Sequence, residues 1–143
     1  MTKYQTRGMR NNNPLNIRKT NTKWLGSEES PIEHDFVTFK NPVWGFRAAF
    51  RILSTYYWKH HLCSLDAIIS RWAPSNENDT NAYIEAVEQY SGISRRRLLP
   101  APNWKNKETW VTLALAMCRV ENGIIPRNYD IYASSGYDYY LGK

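Results

Sequence analysis

From Trp110 to Cys118 the only polar side chain is Thr112. A run that is apolar on every face predicts a helix in the middle of a domain, not on its surface. It is far too short to cross a bilayer, so a buried core helix is the better reading. Arg119 interrupts the run, Glu121 follows, and Asn122-Gly123 supplies residues that tolerate the left-handed conformation of a helix C-cap. Leu113, Leu115, Met117 and Val120 are therefore expected to be almost wholly buried.

Three further helices precede this one. Asn41-Pro42 reads as an N-cap followed by proline at the first helical position, and Phe46, Phe50, Leu53 and Tyr57 then share one face. Ser64 is placed to cap a helix whose buried stripe is Leu65, Ile68, Ile69 and Trp72, and Ala73-Pro74 ends it. After the polar loop Ser75–Thr80, Asp79 or Thr80 can cap a third, with Tyr83, Val87 and Tyr90 on one face and Gly92 closing it. The N-terminal part lacks this period. Residues 1–13 are basic and polar, and Asn11-Asn12-Asn13-Pro14 predicts a turn. Leu15–Arg18, Trp24–Gly26 and Asp35–Phe39 read as short extended pieces around the acidic loop Ser27–Asp35. The Tyr-rich tail after Pro126 shows little periodicity and is expected to pack as extended coil. The fold class is mainly α (α+β), one domain over residues 1–143, with a small irregular β subdomain near the N-terminus.

Composition narrows this only a little. At 143 residues, 42% hydrophobic and 22% charged, the chain can bury one proper core and is not a disordered sequence. The formal charge of +6 favours anionic partners, which include nucleic acid, bacterial cell wall and membrane surfaces. Six Trp and ten Tyr are enough to line a carbohydrate cleft as well as a core. Cys63 and Cys118 lie in apolar contexts and read as buried thiols, the usage of a reducing compartment. The first residues contain no apolar h-region, so synthesis in the cytoplasm without a signal peptide is expected, with no integral membrane segment.

Two acids are candidates for chemistry. Glu121 closes the central helix at the negative end of its dipole, against apolar neighbours of the kind that surround glycosidase general acids. The plainer alternative is an exposed Glu in a fraying terminus. Glu77 lies in a loop dense with hydrogen-bonding groups, where function often resides. There the plainer alternative is a solvated loop beside a cap, with Asp79 or Thr80 as that cap. Asn12, Asn13 and Asn16 are candidates for binding sugar hydroxyls or N-acetyl groups, although turn-forming Asn is commoner. His34, His60 and His61 have no ligand spacing with the cysteines, and adjacent His60 and His61 would point to different faces of a helix, so no metal and no cofactor is implied. Arg95-Arg96-Arg97 reads as a solvated basic loop, which disfavours nucleic acid as the partner.

Asn12-Asn13-Pro14-Leu15-Asn16-Ile17-Arg18, Trp24-Leu25-Gly26, Phe36–Phe39 and Phe46-Arg47 resemble the middle of flagellar-type glucosaminidases of the lysozyme superfamily. Asp79-Thr80 and Tyr83 resemble a stretch of those enzymes in which the tyrosine faces the cleft. Ala114–Gly123 looks like the catalytic helix of goose-type lysozymes and lytic transglycosylases, which there comes first and here comes last. That order is what circular permutation of a lysozyme-like domain would produce. Over nearly its full length the chain also resembles small phage-encoded proteins labelled virion structural proteins or cell-wall hydrolases. Arg7–Pro14, Arg71–Pro74 and Glu77–Thr80 with Tyr83 carry that likeness. The resemblance implies a lysozyme-like helical domain acting on peptidoglycan as a glycosidase or lytic transglycosylase. Glu121 or Glu77 would be the acid, and Asn12, Asn13, Asn16, Asp79 and Tyr83 would bind substrate. It implies a monomer of phage or prophage origin, working in the virion or at the periplasm and cell wall. The alternative is a non-catalytic virion or cell-wall-binding protein on the same scaffold. If the chain is permuted, Asn12–Ile17 must lie beside the end of the central helix.

Overall fold

The computed structural model describes residues 5–142; residues 1–4 of the basic N-terminal segment, and Lys143, lie outside the described residues. The protein is mainly α-helical. Its helices are α1 (Arg7–Arg10), α2 (Pro42–Trp58), α3 (Leu65–Trp72), α4 (Thr80–Ser91), α5 (Lys107–Asn122) and α6 (Tyr129–Tyr140), with a single 3-10 turn at Trp104–Asn106. Among the described residues the expected strands pair only as isolated antiparallel bridges, Arg18 with Phe36 and Ser27 with Phe39. Residues 11–41 are therefore turns and coil rather than sheet. None of the helices among the described residues is long and apolar enough to cross a membrane.

The helix starts follow from local chemistry. The Asn41 side chain accepts from the Val43 N–H ahead of Pro42, and Asp79 accepts from the Ala82 N–H at the start of α4. Ser64 stands at the N-cap of α3 but gives its hydroxyl to Asp66, whose carboxylate accepts the Ala67 N–H instead. Gly92 and Gly123 close α4 and α5 in the left-handed region. His60 and His61 fall in the turn beyond the end of α2, so the expectation that they mark two faces of a helix does not apply.

Helix α5 is central, with contacts to α1, α2, α4 and α6. Trp110, Leu113, Ala114, Met117 and Cys118 are fully buried. Leu115 and Val120 are only half-buried, which corrects the expectation of burial all round. The helix has one side against the partly open edge of the domain, and the side chains there are apolar without being enclosed. Cys63 is likewise half-buried, while Cys118 is a buried free thiol that burial pushes up to about 12.

The C-terminal tail corrects a second expectation. It is not coil but α6, packed along α2 in the most extensive helix pair of the fold. Tyr129, Ala133, Gly136 and Tyr137 face inward, at helical spacing. Tyr137 meets Phe50 edge to face with centroids 4.9 Å apart, and Tyr129 meets Phe46 the same way at 5.8 Å. The tyrosine hydroxyls reach out of this apolar contact to the loop before α5, Tyr137 to Asn103 O at 2.8 Å and Tyr140 to Pro102 O at 2.7 Å. Gly136 is what lets the axes approach. A Cβ there would sit 2.7 Å from the Phe46 Cβ and 2.9 Å from the Val43 carbonyl oxygen.

Candidate active site

The site is assembled from two ends of the chain. Asn11, Asn12 and Asn13 fix the N-terminal turn through their side chains. Asn11 is buried and accepts from the Thr38 hydroxyl at 2.8 Å, and Asn12 donates to Phe39 O at 3.0 Å. Asn13 is wholly buried; it accepts the Ile17 N–H at 2.8 Å and donates to Ile17 O at 3.0 Å and Val37 O at 2.8 Å. These bonds hold the turn against the 36–39 segment, and Asn12 and Asn16 both adopt positive φ, 51° and 53°, which Asn tolerates. The turn is fastened to α5 by Asn122. That side chain is buried, donates to Pro14 O at 2.8 Å and Cys118 O at 2.9 Å, and accepts from the Thr6 hydroxyl. Asn12–Ile17 thus lies beside the end of α5.

That docking brings Asn16 onto Glu121. Its Nδ2 donates to Glu121 Oε1 at 2.9 Å. On the other oxygen, Oε2 accepts from the Tyr83 hydroxyl of α4 at 2.9 Å and from the Trp72 Nε1–H at the end of α3 at 3.4 Å. Three neutral donors from three parts of the chain therefore converge on one half-buried carboxylate, and among the described residues no cation lies within 4 Å of it. Burial first, and then the adjacent Glu121 charge, push the Tyr83 phenol well above its ordinary range. Tyr83 accordingly stays protonated and acts as a donor.

Glu121 opens into a cleft of about 650 Å³. One wall carries Leu15, Asn16, Ile17 and Arg18 from the N-terminal segment. The opposite elements contribute Ile52 and Tyr56 from α2, Arg71 and Trp72 from α3, and Glu77 from the loop beyond it. Both candidate acids thus line one cleft. Glu77 is exposed on its turn, where its N–H bonds to Pro74 O at 3.0 Å. Two buried polar atoms of lining residues, Asn16 Oδ1 and Trp24 Nε1, have no hydrogen-bond partner among the described residues.

Of the residues singled out in the sequence, Glu121, Asn16 and Tyr83 form one cluster, and Glu77 shares its cleft. Tyr83 is buried behind the carboxylate and contributes no part of the cleft wall. Asn12 and Asn13 spend their side chains on backbone groups, and Asp79 spends its own on the cap of α4. Sequence reasoning missed Trp72 as a contributor, placing it on a core stripe; the indole N–H needs a partner and finds Glu121. It also missed Arg18, Arg71, Trp24 and Tyr56 as lining residues. A signal for Arg71 and Trp72 was present, since they open the Arg-Trp-Ala-Pro motif.

No family model matches the chain. It is 45% identical over 127 residues to Protein P5 of Pseudoalteromonas phage PM2, in an alignment covering 87% of this chain and 76% of that protein. At that identity and coverage, the chain belongs to the same family of bacteriophage proteins as Protein P5 of phage PM2.

Proposed function

We propose that the protein is a peptidoglycan-cleaving glycosidase or lytic transglycosylase of lysozyme-like, circularly permuted architecture, with Glu121 as its general acid. The observation that carries this reading is the setting of Glu121. It is a carboxyl at the end of a buried helix, held by Asn16, Tyr83 and Trp72 without a cationic partner, and it opens into an aromatic-lined cleft. The three donors come from three separate elements and fix where the carboxyl points, with its edge towards the cleft. Oε1 carries only the Asn16 bond, so it retains a place for the proton that must reach the glycosidic oxygen. In the reaction the bond from the anomeric carbon to the leaving oxygen breaks as that oxygen takes the proton. Water or an internal hydroxyl of the substrate then captures the oxocarbenium-like carbon, and its proton returns to the carboxylate.

The permutation is supported by the placement of Asn12–Ile17 beside the end of α5, fastened through Asn122 and Asn16. In this reading the monomer acts from the virion or at the cell wall of the host. The second reading is a non-catalytic virion or cell-wall-binding protein on the same scaffold, for which the aromatic and basic lining of the cleft would serve as a binding surface alone.

A peptidoglycan zymogram separates the two. The unsubstituted protein should clear the gel and Glu121→Gln should not, with binding to cell walls retained. Glutamine keeps one acceptor oxygen for Tyr83 and Trp72, and its amide NH2 can face Asn16 once that side-chain amide turns its oxygen inward, but it cannot supply a proton, so the loss should be about 10²–10⁴-fold in rate. Glu77→Gln should lower activity only modestly. If Glu77→Gln is inactive and Glu121→Gln active, the acid is Glu77. A protein that binds walls and releases nothing is the scaffold of the second reading.

A further inference from the structure

The cleft carries more positive charge than cleavage of a neutral glycan requires. Arg7, Arg18 and Arg71 all line it. Arg7 and Arg18 ride on a single ring, with their guanidinium carbons 4.4 Å and 4.9 Å from the centroid of Phe36. Arg71 lies over Tyr56 at 5.3 Å. Stacking on an aromatic face orients a guanidinium plane and leaves its N–H edge available to a ligand. Arg7 spends its Nε on Glu33 Oε1 at 3.2 Å, but Arg18 and Arg71 have no carboxylate within 4 Å among the described residues. The acids that do share the cleft, Glu121 and Glu77, are not paired with them. Three oriented cations, two of them without a carboxylate within 4 Å among the described residues, thus face the same space as the candidate acid.

We infer that Arg18 and Arg71, supported by Arg7, form a carboxylate-recognition subsite that selects glycan strands bearing carboxylate-rich peptide stems over neutral glycans of the same sugars. The inference rests on the peptidoglycan reading above and names the feature of that substrate the cleft selects. A planar guanidinium fork matches a carboxylate with two parallel hydrogen bonds, and a charge-assisted bond contributes more than the neutral bonds that saccharide hydroxyls make. Positions on two walls of one cleft would let the strand lie between them, with the stem held at its side.

The test is binding, so it does not depend on turnover. Glu121→Gln protein is titrated with soluble peptidoglycan fragments that keep their peptide stems, with chitin oligosaccharides of matched length, and with a single-stranded oligonucleotide as a polyanion. Binding is followed by the fluorescence of Trp24 and Trp72, which line the cleft. Adding Arg18→Gln or Arg71→Gln should weaken stem-bearing fragments by about tenfold or more and leave chitin oligosaccharides within about twofold. Arg18→Lys, which keeps the charge and loses the fork, should recover only part of the loss. Circular dichroism checks that each variant is folded. Equal losses for both glycans, or no loss for either, would overturn the inference, as would tighter binding of the oligonucleotide than of the fragments. If the unsubstituted protein cleaves nothing yet shows this arginine-dependent preference, the enzyme reading fails and the subsite stands. Normal cleavage without the preference has the opposite meaning.

Discussion

Asn13 is the side chain whose removal the structure makes most costly for its size. It is completely buried and makes three bonds to main-chain groups, at 2.8, 3.0 and 2.8 Å. Truncation in Asn13→Ala does not affect all three equally. Ile17 O keeps the Val37 N–H at 3.1 Å, but Ile17 N–H and Val37 C=O lose the partner the described residues give them. Each buried group left without a partner costs about 1–3 kcal/mol, so the expected loss is about 3–4 kcal/mol. Against a typical domain stability of about 5–15 kcal/mol, the variant should fold but with a clearly reduced margin. Urea unfolding followed by tryptophan fluorescence measures this directly. With an unchanged slope of about 2 kcal/mol/M, the midpoint should fall by about 1.5–2 M. Asn13→Asp is the control. It keeps the acceptor for Ile17 N–H but sets a second oxygen against two carbonyls, so at pH 7 it should be at least as damaging as alanine. The introduced carboxyl would be held neutral in the folded state, above its unfolded value of about 3.9. The variant should therefore regain stability relative to the unsubstituted protein as pH falls towards 4, and lose it again as pH rises. A loss below about 1 kcal/mol for alanine, together with a milder aspartate variant at pH 7, would refute the reasoning. It would also return Asn13 to the list of candidate sugar ligands.

Other outcomes follow from the packing and the buried acids. Gly136→Ala should cost about 1–3 kcal/mol, because its methyl meets main-chain and Cβ atoms of α2 that cannot swing aside; a Tm unchanged within error would mean that the helices separate freely. Leu113→Ala, at a fully buried position, should cost about 2–5 kcal/mol in urea unfolding, and Leu115→Ala, half-buried, clearly less; equal losses would contradict the one-sided burial of α5. Stability should also decline above about pH 9. Burial pushes both the Cys118 thiol and the Tyr129 phenol up to about 12, so between the ordinary values and that point the unfolded chain releases protons that the folded one retains. Urea midpoints at pH 7 and pH 10.5 check the sign, and an equal or higher midpoint at the alkaline pH would count against it.

What the sequence determined by itself was local. Proline and Asn at 41–42, Asp at 79, and Gly at 92 and 123 set helix ends through bonds and backbone conformations that span only a few residues. The apolar period placed α2, α3, α4 and α5, and it marked Glu121 because an acid at the end of so apolar a run stands out. The resemblance added that Asn12–Ile17 should lie near it. Tertiary structure decided the rest. The stretch that forms α6 shows little apolar period because tyrosine is neither cleanly polar nor apolar. Only the close approach of α2 shows that Gly136 is required there and that the rings are a packed face. The half-burial of Leu115 depends on which side of α5 the neighbouring helices leave uncovered, which no local pattern encodes. In the run Asn11–Asn16 one residue type serves two ends: Asn11, Asn12 and Asn13 tie down the turn, while Asn16 reaches a carboxylate 105 residues away. An amide side chain can donate or accept in either role. Which role each Asn plays is set by what the fold brings within hydrogen-bonding distance.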